Sequence, residues 1–418
     1  MNFLNEIIVR YPQAISFAPG RPMEAHFAVE SCVGSIAEYV EFTAEARGLP
    51  QQQIWNELGQ YSRTNGTIND LIAKQLASDE GIHVTPGSIV VTVGAQEAMA
   101  VLLTGIFEPG RDILLASDPT YVGITGLARV LGISVVPISA GEDGLEPERV
   151  EQVIRECSEL GRPRALYDIP DFNNPLGTTM PLEHRRQLLD ICARNDVLII
   201  EDNPYGMFVY EGERLPTLKA LDTEQVVLYI GSYAKTLFPG LRLGYLVADQ
   251  VSAGRALAEE LSKIKSLLTV NTSPLLQAFA AGILRKENGT LRGMMERKIK
   301  DYRRNRDIMC ECLASEFSCL ADFVHWNRPR GGFFLTLQLP FHFGEQELQR
   351  CASDYGVIVS PMKFFTLGRR RESQIRLSFS YVSEELIREG IHRLGLFVKD
   401  TMAREPQLSA IAPNSFPQ

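Results

Sequence analysis

The stretch Ser232-Tyr233-Ala234-Lys235-Thr236-Leu237 decides how this chain is interpreted, because it directly follows an apolar run, 226–230, that predicts a buried strand. It places a lysine at the end of that strand, among small and apolar neighbours. Such surroundings disfavour the ammonium and lower the pKa of the amine, which can then attack a carbonyl carbon and form a Schiff base. A solvated surface lysine is the competing interpretation of Lys235 on this segment alone.

The rest of the sheet follows from similar apolar runs that alternate with helical patterns. Seven strands are predicted, at residues 89–93, 112–116, 133–138, 165–169, 197–200, 226–230 and 244–248. Apolar strands separated by amphipathic stretches indicate an α/β fold, with a mainly parallel seven-stranded sheet sandwiched by helices. Ligands of such sheets bind beyond the carboxyl ends of the strands, so the residues after each run are the first candidates for a site.

The remaining segments predict a second, smaller domain. Residues 273–316 are helical with a break at Glu287-Asn288-Gly289, whereas runs at 332–337, 357–359 and 375–379 predict strands before a helix near 384–398. We therefore predict a large domain at 61–300 and a small α+β domain at 301–403. Residues 1–60 form an N-terminal arm that packs with the small domain, and 404–418 form a loosely ordered tail.

Composition argues against several classes of protein. The 418 residues carry a formal net charge of -9, which disfavours nucleic-acid binding, because that affinity depends on Lys and Arg. The seven cysteines form no Cys-x-x-Cys pair, and their odd number disfavours a disulfide framework. The chain shows no signal-peptide pattern, no apolar run of the ~18 residues that span a bilayer, and no metal-ligand spacing among its histidines. We expect a cytoplasmic protein that binds no metal, membrane or nucleic acid.

Four other strand ends carry polar or aromatic residues. Gly94-Ala95-Gln96 opens a helix whose free N–H groups suit a phosphate, and Tyr121 follows the next strand, where its ring could cover a planar heterocycle. Asn174 lies in a rigid Pro- and Gly-containing turn and can donate a hydrogen bond. Each feature also has a structural explanation, since glycines before helices and tyrosines in turns commonly serve packing alone.

Asp202 closes an apolar strand and requires a cationic or hydrogen-bonding partner, because an unpaired buried carboxylate is costly. A protonated pyridine nitrogen would satisfy this requirement and would keep the ring an acceptor of electrons. An aspartate that caps the next element is the alternative. A phosphate cradle, an aromatic ring, an amide, an anion and a lysine at five strand ends together indicate a pyridoxal phosphate site.

The chain resembles the class I/II aminotransferases of the pyridoxal-phosphate fold type I group, especially their kynurenine and 2-aminoadipate aminotransferase branch. The resemblance extends from about residue 15 to 393 and rests on three motifs. These are Pro170-Asp171-Phe172-Asn173-Asn174-Pro175, Glu201-Asp202-Asn203-Pro204-Tyr205-Gly206 and the stretch from Gly231 to Tyr245 around Lys235.

The resemblance implies a role for each site residue. Lys235 forms the Schiff base and moves the proton, Asp202 pairs with the pyridine nitrogen, and Tyr121 stacks on the ring. The groups implied for the phenolic oxygen are Asn174 and Tyr205, and those implied for the phosphate are Gly94, Ala95, Gln96, Ser232 and Arg242. Arg376 matches the arginine that grips the substrate α-carboxylate, and Asn174 is implied in substrate binding as well. Tyr61 matches a tyrosine that reaches the neighbouring subunit's phosphate, which implies a homodimer with composite sites.

The resulting functional hypothesis is transfer of an amino group from an α-amino acid to a 2-oxo acid. A rival keeps the cofactor and performs elimination, cyclisation or oxidation, because the residues that hold the ring are shared by such enzymes. A remote rival is a regulatory sensor, since aminotransferase-like domains also occur fused to DNA-binding domains. The position of the Ser16-Phe17-Ala18-Pro19-Gly20 motif argues against this sensor hypothesis. The motif begins within the first twenty residues, so we expect no winged-helix domain before it.

Overall fold

The computed structural model describes residues 2–27, 29–157, 159–368 and 371–404. Apart from Arg404, the predicted tail lies outside these residues. Within them, no helix combines the length and the apolar character that a membrane crossing requires.

Helices and short strands alternate along the chain. The helices are α1 (Asn2–Arg10), α2 (Cys32–Arg47), α3 (Gln51–Leu58), α4 (Asn69–Glu80), α5 (Gly94–Ile106), α6 (Val122–Val130), α7 (Pro147–Cys157), α8 (Leu182–Arg194), α9 (Leu218–Leu221), α10 (Tyr233–Thr236), α11 (Leu257–Leu268), α12 (Pro274–Lys286), α13 (Arg292–Glu316), α14 (Glu345–Asp354) and α15 (Glu384–Arg404). The strands are β1 (Ile15–Ser16), β2 (Ile89–Thr92), β3 (Asp112–Asp118), β4 (Ser134–Gly141), β5 (Gly144–Leu145), β6 (Arg162–Asp168), β7 (Leu198–Asp202), β8 (Val227–Ser232), β9 (Gly244–Val247), β10 (Val251–Ser252), β11 (Arg255–Ala256), β12 (His325–Trp326), β13 (Phe334–Gln338), β14 (Val357–Ile358), β15 (Ser360–Pro361) and β16 (Gln374–Ser378).

The main sheet confirms the predicted α/β fold. Its strand order is β2-β9-β8-β7-β6-β3-β4-β5, so all seven predicted strands are present and the two-residue β5 is added at one edge. Strands β4, β3, β6, β7 and β8 pair in parallel. Strand β9 is antiparallel to both β8 and β2, so β2 runs in the same direction as β8. The carboxyl ends of β2, β3, β6, β7 and β8 therefore meet at one edge of the sheet.

Both faces of this sheet are buried. In β3, Leu114 packs into one apolar cluster with Ile200 and Leu228, whereas its neighbours Ile113 and Leu115 belong to another cluster. Successive side chains of a strand point to opposite faces, so the two clusters lie on the two sides of the sheet. This double burial explains why the strands are continuous apolar runs in the sequence rather than alternating patterns.

The C-terminal part forms a four-stranded antiparallel sheet of order β12-β13-β16-β15, in which Thr336 lies opposite Arg376. The N-terminal β1 pairs in parallel with β14. Helix α2 instead packs against α12, whose Gly282 lies against the backbone of Ser35. The domain boundaries stay predictions. Helix α13 passes without a break across the boundary predicted at residues 300 and 301.

Candidate active site

Lys235 lies where β8 turns into the single-turn helix α10. Its Nζ donates a hydrogen bond to the carbonyl oxygen of Gly20, at 2.6 Å. Burial of the amine, and then the nearby positive charge of Arg376, lower its pKa from 10.5 to about 8, although Asp202 acts in the opposite direction. At pH 8 about half of the side chains are therefore neutral, which is the form that attacks a carbonyl carbon.

Asp202 is the last residue of β7, and only 3% of it is exposed. Its Oδ2 accepts a hydrogen bond from the hydroxyl of Tyr167, at 2.7 Å, whereas its Oδ1 has no partner among the described residues. Burial raises the pKa of Asp202 to about 6, against the opposing effects of Tyr167 and Lys235. A cationic N–H beside Oδ1 would satisfy this buried acceptor.

An anion cradle lies at the start of α5. Gly94 has a φ of 72°, and a Cβ at this position would come within 2.7 Å of Nη2 of Arg242. The same Nη2 donates to the carbonyl oxygen of Val93, at 3.3 Å. Free N–H groups of the first helical turn and a guanidinium therefore meet at one point, where they suit a phosphate. The Oγ of Ser232 accepts a hydrogen bond from the backbone N–H of Ala234.

The ring of Tyr121 lies beside this cradle. Its hydroxyl donates to Oε1 of Gln96, at 3.4 Å, and the amide of Gln96 donates to the carbonyl oxygen of Gly123. A Cβ on Gly123 would clash with the Tyr121 ring, so the ring packs directly over that backbone. Burial, and then the negative charge of Asp202, raise the pKa of Tyr121.

Arg376 joins three parts of the chain through its guanidinium. It donates to Oδ1 of Asn174 at 2.6 Å, to the Oγ of Ser360 at 3.3 Å, and to the carbonyl oxygen of Ala18. Its Nε is buried without a partner among the described residues. The rings of Phe334 and Phe365 lie 4.2 Å and 4.5 Å from its central carbon. Donors of Arg376 thus remain for an anion.

Tyr205 lies near the lysine, and Asn174 contacts Arg376. Nζ of Lys235 is 6.0 Å from the centre of the Tyr205 ring. Burial raises the pKa of Tyr205, while Arg376 and the amide of Asn174 lower it. The described residues hold no cluster of histidine, cysteine and acidic side chains suited to a metal ion.

The groups at this site fit pyridoxal phosphate. The unpartnered Oδ1 of Asp202 suits a protonated ring nitrogen, and the α5 terminus with Arg242 suits the phosphate. The lysine of lowered pKa suits the aldehyde. The ring nitrogen, the phosphate and the aldehyde of the cofactor would thus each have a chemically suited group at this site.

Tyr61 is the one predicted site residue that the structure does not tie to the others. Its side chain is 81% exposed and makes no hydrogen bond within the described part of the chain.

The sequence interpretation missed several groups at the site. No role was predicted for Tyr167, although its position near the end of β6 could have indicated a contact with the neighbouring strand. The carbonyl groups of Ala18 and Gly20 left no sequence signal beyond the Pro19-Gly20 pair. Phe334 and Phe365 come from the C-terminal part, and nothing in their local sequence predicts where they pack.

Comparison with known proteins places these observations in a family. The family described as aminotransferase class I and II matches residues 42–394. The (S)-3,5-dihydroxyphenylglycine transaminase of Amycolatopsis orientalis is 44% identical over 400 residues, which cover 95% of this chain and 91% of that protein. The aromatic-amino-acid aminotransferase 1 of Thermococcus litoralis is 30% identical, with the same coverage. Among solved structures, this chain matches Pyrococcus horikoshii kynurenine aminotransferase in complex with PMP, with a TM-score of 0.82 and 26% sequence identity. The match covers 96% of this chain and 94% of that one.

Proposed function

The chain belongs to the class I and II aminotransferases and transfers an amino group with pyridoxal phosphate as cofactor, and we propose that Lys235, Asp202 and Arg376 carry its central roles. The cofactor, when bound, withdraws electrons from the substrate Cα. Asp202 holds the ring nitrogen in its cationic form, and Arg376 binds the substrate α-carboxylate. Lys235 takes the proton from Cα and returns it on the cofactor side.

The observation that carries this proposal is the position of Lys235 just after the end of β8, the strand that pairs with β7, which ends in Asp202. A base works best when its pKa is near the working pH, and a pKa of about 8 meets this condition. Arg376 holds the carboxylate and thereby fixes where the Cα–H bond points. Its contact with Asn174 connects the carboxylate site to the cofactor site.

Replacing Lys235 with alanine tests the proposal. We expect Lys235→Ala to fold, to bind pyridoxal phosphate non-covalently and to form almost no 2-oxo acid from an amino donor. The matched control is Lys399→Ala, which removes a half-exposed lysine paired with Glu316. Turnover close to that of the control would refute the role of Lys235.

The other cofactor contacts follow from the same arrangement. In this proposal Arg242 and Ser232, with the N–H groups of Gly94, Ala95 and Gln96, bind the phosphate. Asn174 and Tyr205 donate to the phenolic oxygen, and Tyr121 covers one face of the ring. The absence of a side chain at Gly94 supports the first part, because it lets the guanidinium of Arg242 lie against the start of α5, where a Cβ would come within 2.7 Å of Nη2.

We also propose a homodimer in which Tyr61 completes the partner's phosphate site. Five large side chains are exposed in the loop after α3 and around the end of α11. They are Tyr61, Leu267, Leu268, Val270 and Leu275. A hydrogen bond of 3.1 Å from Asn271 to the Oγ of Ser62 joins the loops that carry Val270 and Tyr61. Neighbouring exposed apolar side chains of this kind favour a protein interface.

Mixing two inactive variants tests composite sites. Lys235→Ala and Tyr61→Ala damage different subunits of the same site, so random reassociation should create one intact site in each mixed dimer and restore activity. Mixing Lys235→Ala with Asp202→Asn serves as the control, because both residues belong to one subunit's site. Equal recovery in both mixtures, or in neither, would contradict the composite site.

We further propose that the amino donor carries an aromatic side chain. Two relatives are named for aromatic or dihydroxyphenyl amino acids. The rings of Phe334 and Phe365 lie beside Arg376, and Tyr205 packs against Phe334. Phenylglycine, tyrosine, glutamate and 2-aminoadipate, each with pyruvate as the common acceptor, form a suitable panel, because every donor then yields a 2-oxo acid different from the acceptor. Faster 2-oxo acid formation from both acidic donors would overturn this proposal.

A cytoplasmic location is also proposed, because all seven cysteines are free.

A further inference from the structure

Tyr167 is a buried residue to which the mechanism above assigns no role. It lies in β6 opposite Ile200 of β7, and its side chain is fully buried. Residues two apart on a strand share a face, so Tyr167, Ile200 and Asp202 all point to the same side of the sheet. The strand register thus places the phenol diagonally beside the carboxylate.

The contact between Tyr167 and Asp202 has the geometry of a charge-assisted hydrogen bond. The hydroxyl lies 2.7 Å from Oδ2, a distance typical of a hydroxyl donating to a carboxylate. It is the only hydrogen bond of the Asp202 side chain among the described residues, since Oδ1 has no partner. One oxygen is therefore fixed by Tyr167, and the other remains for a second donor.

We propose that Tyr167 is a positioning residue that keeps Asp202 ionised and turns its Oδ1 toward the ring nitrogen of the cofactor. This inference rests on the proposed role of Asp202. The phenol favours the carboxylate over the protonated acid, because a hydrogen bond donated to a charged oxygen is stronger than one donated to a neutral oxygen. Without it, burial acts on Asp202 unopposed by any hydrogen bond, and the ring nitrogen loses its anionic partner.

The variant that tests this proposal is Tyr167→Phe, which removes one oxygen and retains the packing of the ring. The loss of a hydrogen bond to a charged group predicts cofactor retention that is weaker by about ten- to a hundredfold. The matched control is Tyr355→Phe. The Tyr355 hydroxyl also donates to an aspartate at 2.7 Å, to Oδ2 of Asp400, but it lies between α14 and α15 in the C-terminal part.

The decisive readout is the ¹⁵N chemical shift of protein loaded with pyridoxal phosphate labelled at the ring nitrogen. The native protein and Tyr355→Phe should show a protonated nitrogen from about pH 6 to 9. Tyr167→Phe should move toward the neutral shift within that range, and its dialysis should release the cofactor faster. An unchanged shift together with unchanged retention would overturn the proposal.

Asp202→Asn separates this proposal from the one on which it rests. If Asp202→Asn changes the ¹⁵N shift while Tyr167→Phe does not, only the role of Tyr167 fails. If neither changes it, the role of Asp202 fails as well. Adding Tyr167→Phe to Asp202→Asn should have little further effect, because the phenol acts through the carboxylate.

If Tyr167→Phe does not fold, 3-fluorotyrosine at position 167 keeps the shape of the side chain and alters the acidity of its hydroxyl. An unchanged pH profile of the ¹⁵N shift would again refute the proposal.

Discussion

Arg376→Lys should weaken the reaction of amino acids while sparing the reaction of amines that lack a carboxylate. Arginine presents a planar fork that binds both oxygens of a carboxylate, whereas lysine offers a point charge. In this structure the central carbon of the guanidinium lies 4.2 Å and 4.5 Å from the ring centres of Phe334 and Phe365. The guanidinium also donates hydrogen bonds to Asn174, Ala18 and Ser360. A lysine cannot reproduce that arrangement.

The magnitude follows from the hydrogen bond that is lost. One charge-assisted hydrogen bond contributes about 1.5–3 kcal/mol. Since each 1.36 kcal/mol corresponds to a tenfold change, kcat/KM should fall by roughly ten- to a hundredfold. The positive charge is retained, so the pKa of Lys235 should change little, and the variant should keep its cofactor.

The assay compares single-turnover rates of phenylglycine and benzylamine, which differ only in the carboxylate. Their ratio should decrease by the factor above in Arg376→Lys. Arg306→Lys is the control, because Arg306 is also fully buried and donates to Pro329 and Glu211, away from the site. An equal fall for both substrates in Arg376→Lys would refute carboxylate recognition and indicate structural damage instead.

Two further predictions concern the cofactor. Covalent attachment of pyridoxal phosphate to the cofactor-free protein should speed up as pH rises from 6 and level off above about 8, because the lowered pKa of Lys235 makes the reactive neutral amine predominant there. Stopped-flow absorbance measures this rate. A rate that still rises steeply at pH 10 would contradict the prediction. Gly94→Ala should weaken cofactor binding, measured by fluorescence titration, because its Cβ would meet Arg242 at 2.7 Å. Gly81→Ala has a similar positive φ but open space around it, so it should lower stability by about 1–2 kcal/mol and leave cofactor affinity unchanged.

Much of the fold could be predicted because its determinants are local. Strands buried on both faces are continuous apolar runs, so all seven strands were found within a few residues of their ends. The break at 287–289 was found because Asn288 and Gly289 adopt positive φ, which few other residues tolerate. β5, by contrast, has only two residues and no apolar pattern of its own.

The site could be predicted only in part. Parallel strands bring their carboxyl ends together, so Lys235, Asp202 and Asn174 were expected to meet from topology alone. The contacts of Gly20 with Lys235 and of Ala18 with Arg376 were not expected, because backbone carbonyl groups carry no residue-specific signal. The side-chain partner of Asp202 likewise depends on the register of β6 against β7.

The sequence by itself determined the sheet and indicated the proposed reactive lysine and the other groups at the strand ends, because apolar periodicity and residue chemistry are properties of short segments. The tertiary structure alone decided how those groups act on one another. The pKa of Lys235 depends on burial and on charges that lie far away along the chain. Burial raises the pKa of Asp202, and a hydrogen bond from a phenol of the neighbouring strand lowers it. Electrostatic interactions depend on distance in space, which no local pattern of residues encodes.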